Sequence, residues 1–499
     1  MSVLLGIDIG TSSVKSLLMD AQGNAIGFSQ IEYDISIPSV GRAEQDPEIW
    51  WDLVCRATTH ALGQANIKAD RITGIGLSGQ MHGLVALDRH HNVIRPAIIW
   101  CDQRSTGETE ELNRLFSQEE LGKLIQNPVA AGFQLPSLIW LREHESESYG
   151  KIAHVMLPKD YIRFRLTGEI GVDTTDASGT SAYDVAGKNW AVSLLNRAGI
   201  DTAIFPAPGE PWEIAGQVCS KAAATSPLKQ GTPVVYGGAD QAMQAIGNGI
   251  LAPGIVSCTI GTGGQLFTPI DTPVYDPLLR THTYVHAAPG KWYLLGASMS
   301  AGLSLRWLAG KILGRNDYRQ LDLEAAAVAA GSEGLLFLPY LAGDRTPHMD
   351  AYAKGMFFGL TLNHGYEHMV RSVLEGVGYS MRDSLEIFKK LGVGMDRIIV
   401  SGGGAKSQLW KQILADVLGS EVYTSTMKEQ ACVGAAIMAG VGTGVYAHVE
   451  QAIAAIVRIQ EEPIRPLSEN RDIYARQYEV YKQLYASNKA LFPMLSRHD

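Results

Sequence analysis

Cysteine is scarce: the five present, Cys55, Cys101, Cys219, Cys258 and Cys432, fall in no CxxC or Cys/His spacing. That excludes a disulfide scaffold, gives no metal-site signal and fits a reducing, cytoplasmic setting. Basic blocks are lacking as well. The 42 Lys and Arg are dispersed among 51 Asp and Glu, for a formal net charge of −9, so no broad cationic face is offered to nucleic acid or to an anionic membrane. No apolar run reaches the length of a membrane span, the longest small-residue stretch, 432–447, being broken by glycines. The opening MSVLLGIDIG has no basic segment and is interrupted by Asp8, so it does not read as a signal peptide. There is no GxxxxGK[ST] loop. The GxGxxG at 74–79 runs into GLVALDRHHNVI, which reads as strand, turn and strand, so the dinucleotide-binding context is absent.

What is present is a globular composition, 46% hydrophobic and 19% charged over 499 residues, too long for one ordinary core. Two domains, 1–250 and 251–499, are the simplest division.

The stretch Gly231–Gly264 carries the most chemistry. Thr232–Tyr236 reads as a strand, Gly237-Gly238 as a tight turn, and Gln241–Ile250 as a helix, so Asp240 lies at a strand end and near a helix N-terminus. An N-cap aspartate is the plain reading. A second strand, Ile255–Ile260, ends in Gly261-Thr262-Gly263-Gly264, a turn whose backbone N–H groups can converge on a phosphate. A carboxylate beside a phosphate cradle points to phosphoryl transfer to a hydroxyl, with Asp240 as base.

In the first half, Val3–Ile9, Val14–Met19 and Ala25–Tyr33 read as three antiparallel strands, Asp46-Pro47-Glu48 starts a helix, and Arg71–Ser78 returns as a strand. The order is β-β-β-α-β. The first turn carries Asp8, Gly10, Thr11, Ser12 and Lys15, which read either as an ordinary hairpin or as amides and hydroxyls around terminal phosphates, with Asp8 organising Mg²⁺ through water. Gln80-Met81-His82-Gly83 follows the 71–78 strand, at the edge where α/β folds carry ligands. Trp100, Asp102 and Arg104 combine an apolar face with an acceptor and a donor of the kind sugars need. Lys159-Asp160-Tyr161 opens a helix, and Asp173–Ser178 reads as a polar loop that lines the same cavity or caps a helix.

The second half repeats the pattern. Strands 255–260, 265–270 and 292–297 precede a helix placed at 298–313, suggesting a duplication without evident residue identity. Glu367–Lys390 reads as a long amphipathic helix, and Arg397–Val400 as a strand leading through Ser401-Gly402-Gly403-Gly404 to a helix at 408–418.

Taken together and in order, DIGTSSVK (8–15), SGQMHG (78–83), IIWCDQR (98–104), LPKDYIRFRLTGE (157–169), GGADQ (237–241), IGTGG (260–264), LPYLAGDRTPH (338–348) and SGGGAKS (401–407) resemble the FGGY family of carbohydrate kinases over essentially the whole chain. The resemblance implies an α/β fold of two actin-like, ribonuclease H-like lobes with a catalytic cleft between them, using ATP and Mg²⁺. It implies Asp240 as the base and Asp8 near the metal-bound phosphates, with Gln80, Met81, His82, Trp100, Asp102 and Gln241 on the sugar side. Thr11, Ser12, Lys15, Gly261, Thr262 and Gly263 would meet the phosphates, and Gly302, Gly403, Gly404 and Ser407 the adenosine. Met81-His82 stands where glycerol kinases carry Arg-Glu, which counts against glycerol and leaves a pentulose or gluconate as the sugar. The partner implied is this small molecule, with a homodimer left open as the assembly. An actin-like or chaperone-like ATPase that phosphorylates no small molecule is the rival that fold alone does not exclude.

Overall fold

β1 (Val3–Ile9) is buried along its whole length, as a strand covered on both faces must be. In the computed structural model, which describes residues 2–460 and 462–495, β1 pairs antiparallel with β2 (Ser13–Asp20), and β2 with β3 (Ala25–Glu32). α1 (Pro47–Ala65) begins where the Asp46 side chain accepts from the Glu48 N–H, with Pro47 at its first position. It buries Trp50, Leu53, Val54, Ala57, Ala61 and Leu62 and packs on β2 and β3. Each large apolar side chain contributes about 1.5–3 kcal/mol there. β4 (Ile72–Gly79) then pairs parallel with β1, which completes the β-β-β-α-β order expected from the sequence.

After a long excursion containing α2 (Pro158–Thr167) and the single turn α3 (Thr174–Ala177), the chain returns as β5 (Pro233–Val235) and β6 (Gly238–Ala239). Both pair parallel with β4, and Ile214–Gln217 closes the edge, giving the order Ile214–Gln217, β5, β4, β1, β2, β3. α4 (Asp240–Gly247) leaves from β6.

A second sheet repeats the plan. β7 (Gly254–Ile260) pairs antiparallel with β8 (Gly264–Ile270), which neighbours β9 (Trp292–Ser298). Past α5 (Gly302–Trp307) and the long α6 (Tyr366–Lys390), β10 (Met395–Ser401) pairs parallel with β7. α7 (Gln408–Leu418) leads to β11 (Val422–Thr424), parallel to β10. The helix placed at 298–313 instead starts at Gly302, because β9 runs on to Ser298 and 299–301 form the turn. The counterpart of α1, the helix just before the parallel strand, is α6.

By contacts the chain forms two compact units. The first holds the described residues up to Leu251 with Thr283–Trp292 and Met427–Arg458, the second Ala252–His282, Tyr293–Thr426 and the described residues from Ile459. The chain thus changes unit at 251/252, close to the boundary read from the sequence, and then returns twice to the first unit. The second return carries α8 (Gln430–Gly442), which lies across β1 and β4 and against α4. The glycines of β1 and β4 are what permit this: a Cβ at Gly6 would sit 2.0 Å from the Cys432 carbonyl oxygen, and one at Gly76 1.8 Å from that of Ala435. The GxGxxG of 74–79 is therefore a packing feature of a sheet beneath a small-residue helix. Among the described residues no helix is long and apolar enough to cross a membrane.

Candidate active site

Register builds the first half of the site. Asp8 stands opposite Lys15 on one side and Ser78 on the other, while Gly238 is level with Ser78. One residue further, Ile9, Gly79 and Ala239 share a level. Three segments, opening with Gly10, Gln80 and Asp240, thereby leave three adjacent parallel strands together. This is the carboxyl edge at which α/β sheets place their ligands.

Asp240 is not an N-cap. Ala239 occupies that position without a side-chain cap, and Asp240 is the first helical residue. The residue is half-buried. Burial and then the nearby Asp8 charge push it up to about 7, against hydrogen bonding from Gln241, so near neutrality it exists in both forms and suits a general base. Asp8 is buried, its Oδ1 accepting from Ser78 Oγ at 2.8 Å. Burial raises its proton affinity against the lowering effects of Lys15 and Ser78. Lys15 itself pairs with Glu429 at 2.7 Å. Burial works against the Lys15 charge, but Glu429 and Asp8 outweigh it and hold the ammonium above the usual lysine range.

Glu429 is the residue that sequence reading missed. It occupies the N-cap of α8 with φ 51°, and nothing in a small-residue helix 414 positions away marks it as a partner of Lys15.

The turn after β1 is braced from several sides. Trp100 Nε1 donates to Thr11 Oγ1 at 2.8 Å, Gln45 Nε2 to the Thr11 carbonyl at 2.7 Å, and the Tyr33 hydroxyl to the Gly10 carbonyl. Gln80 Nε2 donates to Gln45 Oε1 at 2.8 Å, which ties the 80–83 loop to this turn. Ser12 is left exposed at its tip.

Met81 and His82 are buried at 5% and 6% exposure. His82 takes φ 73°, costly for a non-glycine residue and typical of functional loops. Its ring stacks on Phe133 at 3.8 Å, and Nδ1 lies 2.6 Å from the Gly179 carbonyl oxygen. A carbonyl there requires Nδ1 to carry the proton, which makes Nε2 the acceptor nitrogen of the neutral ring. Asp102 is fully buried, with its oxygens bonded by the Arg104 side chain at 2.8 and 2.9 Å and by the Ala43 and Arg104 N–H groups. Its oxygens are taken up in bracing this segment and not in facing a ligand.

The second unit holds a cavity of about 830 Å³ lined by Gly261, Thr262, Gly302, Gly403, Gly404 and Ser407, with Leu305 and Leu323 adding an apolar wall. Its volume is within the range of nucleotide and cofactor sites. The β7 turn is tight, with the Gly261 N–H donating to the Gly263 carbonyl at 2.9 Å. Gly402, at φ 79°, folds the 402–407 turn back onto Ile260. Ser407 caps α7 by accepting from the Trp410 N–H at 2.9 Å.

The donor chemistry at Asp8 and Asp240 fits a Mg²⁺ ion carried by phosphates. Both are hard oxygen donors of the kind such an ion takes.

Comparison with known proteins gives the family. The models for the N-terminal and C-terminal domains of the FGGY family of carbohydrate kinases match residues 3–247 and 256–443. The chain is 34% identical to the xylulose kinase of Bacillus subtilis (strain 168), covering 98% of each chain. It is 32% identical to the gluconokinase of that organism, over 89% of this chain and 88% of the other. The crystal structure of xylulose kinase from Rhodospirillum rubrum superposes with a TM-score of 0.90 at 31% identity, over 98% of this chain and 99% of that one. The chain belongs to the FGGY family of carbohydrate kinases.

Proposed function

We propose that this kinase transfers the γ-phosphoryl group of MgATP to a hydroxyl of D-xylulose, giving D-xylulose 5-phosphate and ADP. The observation that carries the chemistry is Asp240: a half-buried residue whose carboxyl is poised near neutrality at the carboxyl edge of the sheet, next after the Ala239–Gly79 level and near Asp8. The similarity to xylulose kinases over nearly the full chain supports the sugar.

In this reading Asp240 accepts the proton of the attacking hydroxyl, and Gln241 orients its carboxylate. Met81, His82, Gln80 and Trp100 hold the sugar, His82 through Nε2. Thr11, Ser12 and Lys15 receive the terminal phosphates, and Asp8, through water, together with those phosphates would hold Mg²⁺, which would neutralise charge on the transferred group. In the second unit Gly261, Thr262 and Gly263 take phosphates, while Gly302, Gly403, Gly404 and Ser407 take the adenosine. Catalysis is then mostly positioning and charge placement, with water kept from competing for the phosphoryl group. The five cysteines are all unpaired, which supports a cytoplasmic setting.

ADP release measured with MgATP and D-xylulose, L-xylulose, D-ribulose, L-ribulose, D-gluconate, glycerol or no sugar tests this. Strong stimulation by D-xylulose is expected. Preference for D-gluconate, the second reading favoured by the gluconokinase similarity, would reassign the substrate. ATP hydrolysis indifferent to every sugar would favour a non-kinase ATPase.

A further inference from the structure

Beneath the Asp240 loop lies a buried charge cluster that the phosphoryl-transfer chemistry does not use. Asp160, Asp173 and Asp176 bring carboxylate oxygens within 4.8 Å of one another, close enough to hold a cation. The protein supplies that cation itself: Lys159 Nζ lies 2.5 Å from Asp160, 2.8 Å from Asp173 and 3.5 Å from Asp176, and all four side chains are inaccessible to solvent. Arg163 adds a second positive charge 3.7 Å from Asp160. Burial works against the lysine charge, yet the three carboxylates keep it protonated, while burial raises Asp176 well above the usual carboxylate range.

The cluster reaches the loop by two routes. Lys159 Nζ donates to the Tyr236 carbonyl at 3.3 Å. Asp173 Oδ1 accepts from the Thr175 N–H at 2.8 Å and from the Thr175 hydroxyl, and Thr175 Oγ1 in turn accepts from the Ala239 N–H at 2.9 Å. Ala239 is the residue before Asp240. The second route needs a glycine at 238, where a Cβ would stand 2.8 Å from Thr175 Oγ1. Asp173 is held between Lys159 and the N-terminus of α3, so the Thr175 hydroxyl has its proton committed to Asp173 and its lone pair aimed at Ala239. Fixing the Ala239 amide fixes the backbone from which the next residue, Asp240, carries its carboxylate.

We propose that Thr175, oriented by the Lys159–Asp173 ion pair, is a positioning residue that sets where Asp240 stands. The inference rests on the reading of Asp240 as the base. Misplacement of a reacting group by about 1 Å can cost about 100-fold in rate.

The test compares Thr175→Val, which keeps shape and loses both hydrogen bonds, with Thr175→Ser, which keeps both. In Thr175→Val, kcat should fall between about 10- and 100-fold with KM for ATP unchanged, and hydrogen exchange at the Ala239 amide should quicken. Thr175→Ser should stay within about threefold of the wild type on both readouts. A Val variant with wild-type kcat, or a Ser variant as impaired as Val, overturns the proposal. Asp240→Asn is measured alongside: if it is inert while Thr175→Val is fully active, only the positioning role falls, and if it is fully active, the base assignment and this inference fall together. Should Thr175→Val not fold, Asp173→Asn, which retains an acceptor for α3 but weakens the lysine pair, is expected to give the same split between kcat and KM, and wild-type kinetics there would overturn the proposal.

Discussion

The two units carry the same turn with different chemistry. Ile9-Gly10-Thr11 follows β1 and Ile260-Gly261-Thr262 follows β7, each on the strand whose neighbours are one antiparallel and one parallel strand. The residue before the isoleucine is Asp8 in the first unit, flanked by Lys15 and Ser78; in the second it is Thr259, flanked by Gln265 and by Ser401, whose hydroxyl lies 2.9 Å from its own. One row is charged and holds a carboxylate against burial, while the other is neutral and closed on itself. A repeated plan thus offers two similar glycine turns but places an acid in the row before only one of them, beside Asp240. The difference agrees with the proposed division, in which the first unit supplies the reacting groups and the cavity of the second takes the nucleotide.

The sharpest way to break this assignment is Asp240→Asn, expected to lower kcat by about 10³- to 10⁴-fold with ATP affinity nearly intact. Its stability serves as the control. Because the folded-state pKa of Asp240 is raised to about 7 from 3.8, the wild type loses this group's stabilising contribution as pH rises from about 4 through 7. The Asn variant escapes that loss. It should therefore match or exceed the wild-type Tm at pH 8, and a collapse in Tm would mean that lost folding, not lost chemistry, explains the kinetics.

Next in size is the pair Asp8→Asn and Thr259→Val, made at equivalent positions of the two rows. Asp8→Asn should cost about 10²-fold in kcat. Thr259→Val should leave kcat within about twofold and remove about 1 kcal/mol of stability, the value of one hydrogen bond. Equal kinetic effects would dissolve the contrast between the turns. A smaller pair separates the ligands. His82→Ala should raise KM for sugar by about tenfold, the scale of one lost hydrogen bond and ring contact, and leave that for ATP unchanged. Gly302→Ala, whose Cβ would meet the Gly261 carbonyl oxygen at 2.3 Å, should do the reverse.

Much of this was legible in the sequence because local rules and tertiary demands agree. The Asp46-Pro47 start of α1, the two glycine turns and α7 at 408–418 formed where capping and periodicity place them. Three things were not legible. The repeated Ile-Gly-Thr is too short to stand out until the strand registers align it. The return of 427–458 to the first unit depends on glycines of β1 and β4 admitting a helix backbone, a fit between segments over 350 residues apart that leaves only single glycines as its trace. The roles of Asp102, closed by Arg104, and of Glu429, paired to Lys15, depend on partners that composition does not name.

The most direct test of Asp240 as the base is the pH dependence of kcat/KM for D-xylulose between pH 5.5 and 9 at saturating MgATP, a smaller effect than the substitutions but one read on the unaltered protein. A base must be ionised to accept the hydroxyl proton, so kcat/KM should rise about tenfold per pH unit on the acid side and level off above about 7. A profile flat through that range, or falling as pH rises through 7, would contradict the account.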